Sequence, residues 1–251
     1  MTRRKRLRSE MGWSTPDRIG VRGHDLVADL IGKVSLGGMA FLELKGRLPS
    51  TEELAVFDAI LVTLVEHGMT PSAIATRMTY LGAPESVQAA VAAGLLGLGG
   101  RFGGTVEDAA RMLQEGQSAE AIVSSHREAG RPIPGLGHPI HKPIDPRVPR
   151  LYEVAAANGL SGRYVELMNL VSVEASRALG KPLPVNATGA IGALASELEI
   201  PWQVARGVAV IARAIGLVGH VREEIEEPLA TEIWTRVDDE ASQHNKPGPR
   251  A

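Results

Sequence analysis

The sequence predicts an all-α protein, and three observations lead there. Helix-start signals recur along the chain, glycines stand where helical periodicity runs out, and no stretch shows the apolar/polar alternation that a half-buried strand requires. Ser50 followed by Glu53 forms a capping box, in which each side chain can bond the other residue's backbone amide. Leu54, Phe57, Leu61 and Leu64 then recur at helical spacing until Gly68 offers a stop. Thr70-Pro71 is a cap followed by proline at the first helical position, where its missing N–H leaves no bond unmade. Pro84 and Glu85 lead into an Ala/Val/Leu segment that ends in the glycines after Leu96. Thr105 with Asp108, and Ser118 with Glu120, start two shorter helices, the second running out at Gly130.

Residues 130–145 change character. Pro132, Pro134, Gly135, Gly137, Pro139 and Pro143 rule out a helix, so a stiff loop is expected, and it carries His138, His141 and Lys142. Polar residues on a loop held by a helical scaffold are a natural place for function. Helices resume at Asp145-Pro146 and stop near Gly159. Another runs from Tyr164 to Leu179 and ends at Gly180, and two more cover about Gly189–Leu198 and Trp202–Leu217. Trp13 to Gly23 reads as an irregular or weakly ordered segment. Residues 1–17 read as a basic, disordered tail, and residues 241–251 as a polar one. No internal repeat is visible.

Composition narrows the function classes. A chain of 251 residues can bury a substantial core, as one large domain or two small ones, and a formal net charge of −2 gives no global attraction for nucleic acid. Cysteine is absent, which excludes disulfides, thiolate metal sites and cysteine nucleophiles, and fits a reducing compartment. Met1–Arg8 carries Arg3, Arg4, Lys5, Arg6 and Arg8 with no apolar stretch behind, so no secretory signal is expected. That start could attract nucleic acid or an anionic surface, but nothing aromatic is interleaved to stack bases, and a solvated tail is the preferred reading. Charges are expected to interrupt every apolar run before the ~20 residues that span a bilayer. A cytoplasmic enzyme or binding protein is the expectation.

The residues that could carry chemistry are few. Gly97 to Gly104 superficially suggests a phosphate cradle. It lacks the preceding strand of a dinucleotide fingerprint and the Lys-Ser/Thr of a P-loop, so a helix junction where backbones approach closely is preferred. His138 and His141 have Pro139 between them and no third ligand at helical spacing, so no metal site is expected. His138 beside Gly137 leaves room for a carbonyl to approach an imidazole donor, though a surface histidine without chemical role is equally compatible with the residues alone. His220 at the end of an apolar helix reads as a cap or a satisfied buried histidine, and His67 before Gly68 invites the same reading. Arg213, inside the apolar run Val208–Val218, must pair with an acid or an anionic ligand.

Several segments resemble motifs of one family, in the family's order. Gly135-Leu136-Gly137-His138, continuing through His141-Lys142 to Asp145-Pro146-Arg147, is similar to a G-x-G-H-x-x-x-K … D-P-R loop. Ala212-Arg213 through Gly216 to His220 resembles an A-R-x-x-G-x-x-x-H helix. Gly94-Leu95-Leu96 with Arg101-Phe102-Gly103-Gly104, Arg22-Gly23-His24-Asp25 and Gly46-Arg47-Leu48-Pro49 complete the set. Together they resemble the citrate synthase superfamily over about residues 18–235. The likeness is to its short citryl-CoA lyase branch, which includes the C-terminal module of ATP-citrate lyase.

The resemblance implies a helical subunit with a large domain (18–105 and 207–240), a smaller inserted domain (106–206), and a homo-oligomer, dimer or higher, completing the sites. It implies that His138 bonds the keto oxygen of an oxaloacetate-like 2-oxoacid, that Arg147 and Arg213 bind carboxylates, and that His67 adds a polar contact. Leu136, Gly137, His141 and Lys142 would help hold a coenzyme A thioester, which is the substrate, with no metal. Two departures set this chain apart. Phe102 stands near the place of the synthases' thioester-polarising histidine, and Thr188 stands where synthases and lyases have an aspartate that moves the proton at the acetyl carbon. A threonine hydroxyl is too weak a base to replace it unaided, and losing a positioned base costs ~10²–10⁴-fold. The implied activity is cleavage or formation of citryl-CoA or a related 3-hydroxy-3-carboxyacyl-CoA, with Thr188 or its water handling the proton. Chemistry on a different acyl-CoA, or CoA-ester binding with little catalysis, are the alternatives.

Overall fold

The computed structural model describes residues 7–138 and 143–246. Instead of the irregular segment expected around Trp13, the chain opens on three short antiparallel strands, β1 (Gly12–Ser14), β2 (Ile19–Val21) and β3 (His24–Asp25). Arg22 and Gly23 join β2 to β3 with φ of 48° and 85°, the doubly left-handed turn whose twist matches a tight hairpin. The strands are too short to show an alternating pattern. Part of the segment expected to be a disordered tail is therefore paired backbone. Arg22 ties the hairpin to the first helix by donating to Glu43 Oε2 at 3.2 Å and to the Glu43 carbonyl at 2.7 Å.

The helices follow in order: α1 (Leu36–Lys45), α2 (Thr51–Val65), α3 (Pro71–Gly82), α4 (Val87–Leu96), α5 (Gly104–Gln114) and α6 (Ala119–Glu128). After the loop come α7 (Arg147–Ala157), α8 (Arg163–Leu179), α9 (Ala187–Glu197), α10 (Trp202–Glu226) and α11 (Ala230–Ser242). The capping box at Ser50 and Glu53 forms as expected, and Arg47 grips the same glutamate at 2.6 and 2.7 Å. The start of α3 at Thr70-Pro71 also forms, as do the left-handed glycine after α8 and the one just beyond α6. Three boundaries differ. The glycines before α5 coil into a π-type turn, Gly99–Gly103, that runs on into the helix. α9 starts at Ala187 rather than Gly189, because Asn186 caps it. α10 runs on to Glu226, so His220 sits within the helix and not at its end. By length and composition α10 could cross a bilayer, contrary to the expectation that charges would interrupt every such run. Half of its most apolar stretch is buried inside the fold.

Two helices organise the core. From Ala187 to Glu197 no residue of α9 is exposed, the signature of a helix surrounded on all sides. α5, α7 and α8 pack against it, and its small residues set how closely they come. A Cβ placed on Gly192 would lie 2.8 Å from the Cβ of Ala109 and 2.9 Å from the amide nitrogen of Ala110. α10 lies against α2, α3, α4 and α5. One apolar cluster, including Phe41, Phe57, Leu113, Met168, Ile191, Leu194 and Val208, runs through the helices on both sides of α9. Gly192→Val therefore forces α5 away from α9. We expect it to lower unfolding free energy in urea by about 1–3 kcal/mol, the usual cost of overpacking, and an unchanged midpoint would refute the close contact.

Candidate active site

The α2–α3 turn, the π-type turn before α5, the loop before α7, and the starts of α7 and α9 enclose a cavity of about 570 Å³ with one face of α10. His67, Phe102, Gly137, His138, Arg147, Asn186, Thr188 and Arg213 all line it. Three joints hold the loop, α7 and α9 together on one side of it, while α10 packs against α2 and α3 on the other.

Asp145 forms the first joint. Its side chain is 1% exposed. It accepts from Arg147 Nε at 2.9 Å and Nη2 at 2.8 Å, from the Arg147 backbone N–H at 3.1 Å, and from the Ala187 N–H at 2.9 Å. Burial alone would raise its pKa, but the Arg147 bonds and charge and the Ala187 amide overcome that and bring it down to about 2. Asn186 forms the second joint. Its Oδ1 accepts from the Thr188 N–H (3.0 Å), the Thr188 hydroxyl (2.8 Å) and the Gly189 N–H (3.1 Å), while its Nδ2 donates to the Gly137 carbonyl at 2.6 Å. The third is a glycine crossing. A Cβ on Gly189 would lie 2.4 Å from the Gly135 carbonyl oxygen, and Gly135 itself has φ +82°. Backbone bonds from Gly137 N–H to Pro184 (2.8 Å) and from Asn186 N–H to Gly135 (2.9 Å) complete the seam.

Arg213 reaches the cavity from α10. The residue is 8% exposed, and neither Nε nor Nη1 has a hydrogen-bond partner among the described residues. Burial pulls its pKa below the ordinary guanidinium value, and the nearby Glu66 charge opposes that pull. Donors of a buried guanidinium left unmet are costly, and they invite an anion. The His67 and His138 rings stand edge-to-face with centroids 6.4 Å apart. Arg147 spends its Nε edge on Asp145, so a ligand carboxylate must meet the opposite end of that guanidinium. Thr188 donates its hydroxyl hydrogen to Asn186, which leaves the oxygen lone pairs as acceptors.

The sequence-derived candidates divide in three ways. His67, Gly137, His138, Arg147, Thr188 and Arg213 come together around one cavity. Leu136 is not among the residues that line it; its backbone bridges to Val185 and its partly buried side chain packs against the core. His141 and Lys142 lie outside the described residues. Sequence reasoning passed over Asn186 and Asp145 as site builders, although an Asn before an Ala/Gly-rich helix is a recognisable cap. His220 is buried, as one of its two expected roles requires, but only Nδ1 is hydrogen-bonded, accepting from Arg77 Nε at 3.2 Å, while Nε2 stands 3.0 Å from Glu66 Oε2 without a hydrogen bond. Among the described residues no group of His, Asp and Glu side chains stands where it could hold a metal ion.

Comparison with known proteins agrees with the motif order. Residues 17–234 match the family described as citrate synthase, C-terminal domain. The chain belongs to the citrate synthase family. Its helical fold matches that of a citryl-CoA lyase from Hydrogenobacter thermophilus, with a TM-score of 0.87 and 36% identity, covering 98% of this chain and 97% of that one. An ATP citrate lyase from Methanothrix soehngenii, solved in complex with citrate and coenzyme A, matches at 25% identity with a TM-score of 0.76, covering 90% of this chain and 40% of that one. A rice ATP-citrate synthase beta chain protein (Oryza sativa subsp. japonica) is 30% identical over 195 residues, covering 68% of this chain and 32% of that one. The chain spans about a third of the length of the curated relatives it matches. As a citrate-synthase-family member it carries threonine at 188 on the first turn of α9, facing the cavity.

The Asp145 joint makes a pH-dependent prediction. Its pKa falls from 3.8 unfolded to about 2 folded, so the stabilisation is complete above pH 4 and is lost as pH drops through about 2. A shift of that size corresponds to roughly 2 kcal/mol. Asp145→Asn should cost about that much in urea unfolding at pH 7, with the gap to wild type narrowing as pH falls from 4 towards 2. A gap independent of pH would contradict an ionised joint.

Proposed function

We propose that this protein is a carbon–carbon lyase that cleaves citryl-CoA, or a related 3-hydroxy-3-carboxyacyl-CoA, to acetyl-CoA and a 2-oxoacid such as oxaloacetate. One observation carries the reading: a buried arginine with unmet donors opens into the cavity that holds His67 and His138. A carboxylate is the ligand such a fork fits. Near full-length likeness to a citryl-CoA lyase supports the choice of substrate.

In this scheme Arg213 and the free end of Arg147 hold carboxylates of the citryl group. His138 takes the proton from the tertiary hydroxyl. The bond between that carbon and the thioester's methylene then breaks, leaving the 2-oxoacid and the enolate of acetyl-CoA. A water accepted by the Thr188 lone pairs protonates the enolate carbon, and the imidazolium returns its proton to the hydroxide so formed. No net proton is consumed. Cleavage asks for a proton donor at carbon, which water can be, whereas synthesis asks for a base strong enough to ionise a methyl group. A threonine at 188 meets the cleavage demand by holding that water, and the reverse reaction would pass through the same water as hydroxide. The N-terminus of α9, beside Thr188, adds its partial positive charge where the enolate forms.

Three further parts belong to the same proposal. The CoA portion is held near Gly137, His141 and Lys142. The smaller unit at 106–206 is drawn from α5–α9, which pack on one another. A second copy of the chain covers the apolar side chains that α10 and α11 leave exposed, Ile215, Val218, Ile225, Trp234 and Val237. The absence of cysteine fits a cytoplasmic setting. The uncharged position 188 also favours a second reading, a CoA-ester binder with little turnover or an enzyme for another acyl-CoA.

Purified protein mixed with citryl-CoA should yield acetyl-CoA and oxaloacetate by mass spectrometry. His138→Ala should lower kcat by about 10²-fold or more, and Thr188→Val should lower kcat with KM little changed, because a contact made only in the transition state is lost. Intact citryl-CoA with saturable binding would move the assignment to the second reading.

A further inference from the structure

A polar stripe on α10 continues beyond the cavity. Arg213, Gly216, His220 and Glu224 recur at helical spacing and are all buried. Facing them is the turn between α2 and α3, which carries His67. Glu66 caps the end of α2 and stands between the two. Its Oε1 accepts the backbone N–H of His67 at 2.8 Å and of Gly68 at 2.5 Å. Its Oε2 lies 3.0 Å from His220 Nε2, close enough for electrostatic attraction although the ring N–H does not point along a hydrogen-bond direction. Behind His220, the fully buried Arg77 of α3 donates Nε to His220 Nδ1 at 3.2 Å and Nη1 to Glu224 Oε2 at 2.8 Å, and its Nη2 also meets Glu223. Glu224 Oε1 in turn accepts the Leu229 and Ala230 amides that open α11.

Glycine at 216 lets the turn come this close. A Cβ there would lie 2.0 Å from the Val65 carbonyl oxygen and 3.1 Å from Glu66 Oε2. We propose that Glu66 is a positioning residue: its carboxylate latches the His67-bearing turn onto α10 and so fixes His67 relative to Arg213. The latch uses both oxygens, one on the turn's own backbone and one on α10, and its charge lies near Arg213, whose donors await a ligand. Burial of Glu66 would raise its pKa, yet the His67 and Gly68 amides and the neighbouring His220 leave it lowered, so the carboxylate is an anion at neutral pH. Arg77, itself held by Glu224, braces His220 from behind and makes it a fixed post for the latch.

The proposal rests on the citryl-CoA reading for its functional readout, and hydrogen exchange gives a readout independent of it. Glu66→Gln keeps an acceptor oxygen for the two amides but loses the charge, whereas Glu66→Ala loses both. Amide exchange at His67 and Gly68 should quicken at least tenfold in Glu66→Ala. With citryl-CoA, KM should rise about tenfold in Glu66→Gln and further in Glu66→Ala, with kcat within threefold of wild type, since substrate placement and not the reacting atoms is disturbed. If Glu66→Ala does not fold, Glu66→Gln alone decides by its KM. Faster exchange with unchanged KM would reduce Glu66 to a helix cap and overturn the proposal, as would raised KM in Glu66→Ala with exchange unchanged. A wild-type protein that leaves citryl-CoA intact would instead overturn the substrate reading, and exchange left unchanged in Glu66→Ala would then overturn the latch as well.

Discussion

Asp145 is an ionised carboxylate almost entirely out of water, and its bonds join two walls of the cavity, three to Arg147 at the start of α7 and one to Ala187 at the start of α9. Burying a lone carboxylate costs several kcal/mol, which the Arg147 fork and two backbone amides offset. The consequence is geometric. The start of α7 cannot move without dragging the start of α9, so Arg147 and Thr188 keep a fixed relation. Asn186 extends the same constraint to Gly137, next to His138, through a single side-chain amide. Gly135 and Gly137 are thereby held against the start of α9 by bonds as well as by backbone shape.

The opposite wall obeys a different rule. α10 presents an apolar face to the core and, along one stripe, an arginine, a glycine, a histidine and a glutamate. Its lower portion is neutralised within the protein by Arg77, Glu66 and the α11 amides. Its upper portion, Arg213, keeps donors unmet among the described residues. A buried helix that satisfies its charges at one end and leaves a guanidinium waiting at the other is built to receive an anion there. Stability and recognition are thus divided along one helix, with Glu66 at the boundary.

Most of the helices were legible because their ends are written in local chemistry: Ser50 with Glu53, Thr70 with Pro71, and Gly180 in the left-handed region. The β-hairpin was not legible, since two- and three-residue strands carry no period. Nor was the length of α10, whose Gly216 and Gly219 look like stops in a linear reading. Gly216 is there because Val65 presses against it, a tertiary fact. The cavity's members His67, His138, Arg147 and Arg213 could be named from motif order. Asp145 and Asn186 were passed over as site builders because their bonds join residues 42 and 49 positions apart.

In this member of the citrate synthase family position 188 is a threonine on the first turn of α9, facing the cavity. A hydroxyl that donates to Asn186 can hold a water but is too weak a base to take a proton from carbon by itself. In the proposed reaction Arg213 receives a carboxylate of the substrate beside His138 and Thr188. The most direct measurement is a crystal structure of the His138→Ala protein with citryl-CoA bound. The account predicts carboxylate oxygens within hydrogen-bond distance of Arg213 Nε and Nη1, and the thioester methylene facing the Thr188 hydroxyl. A ligand bound elsewhere, with the Arg213 guanidinium still unmet or paired to protein, would contradict it.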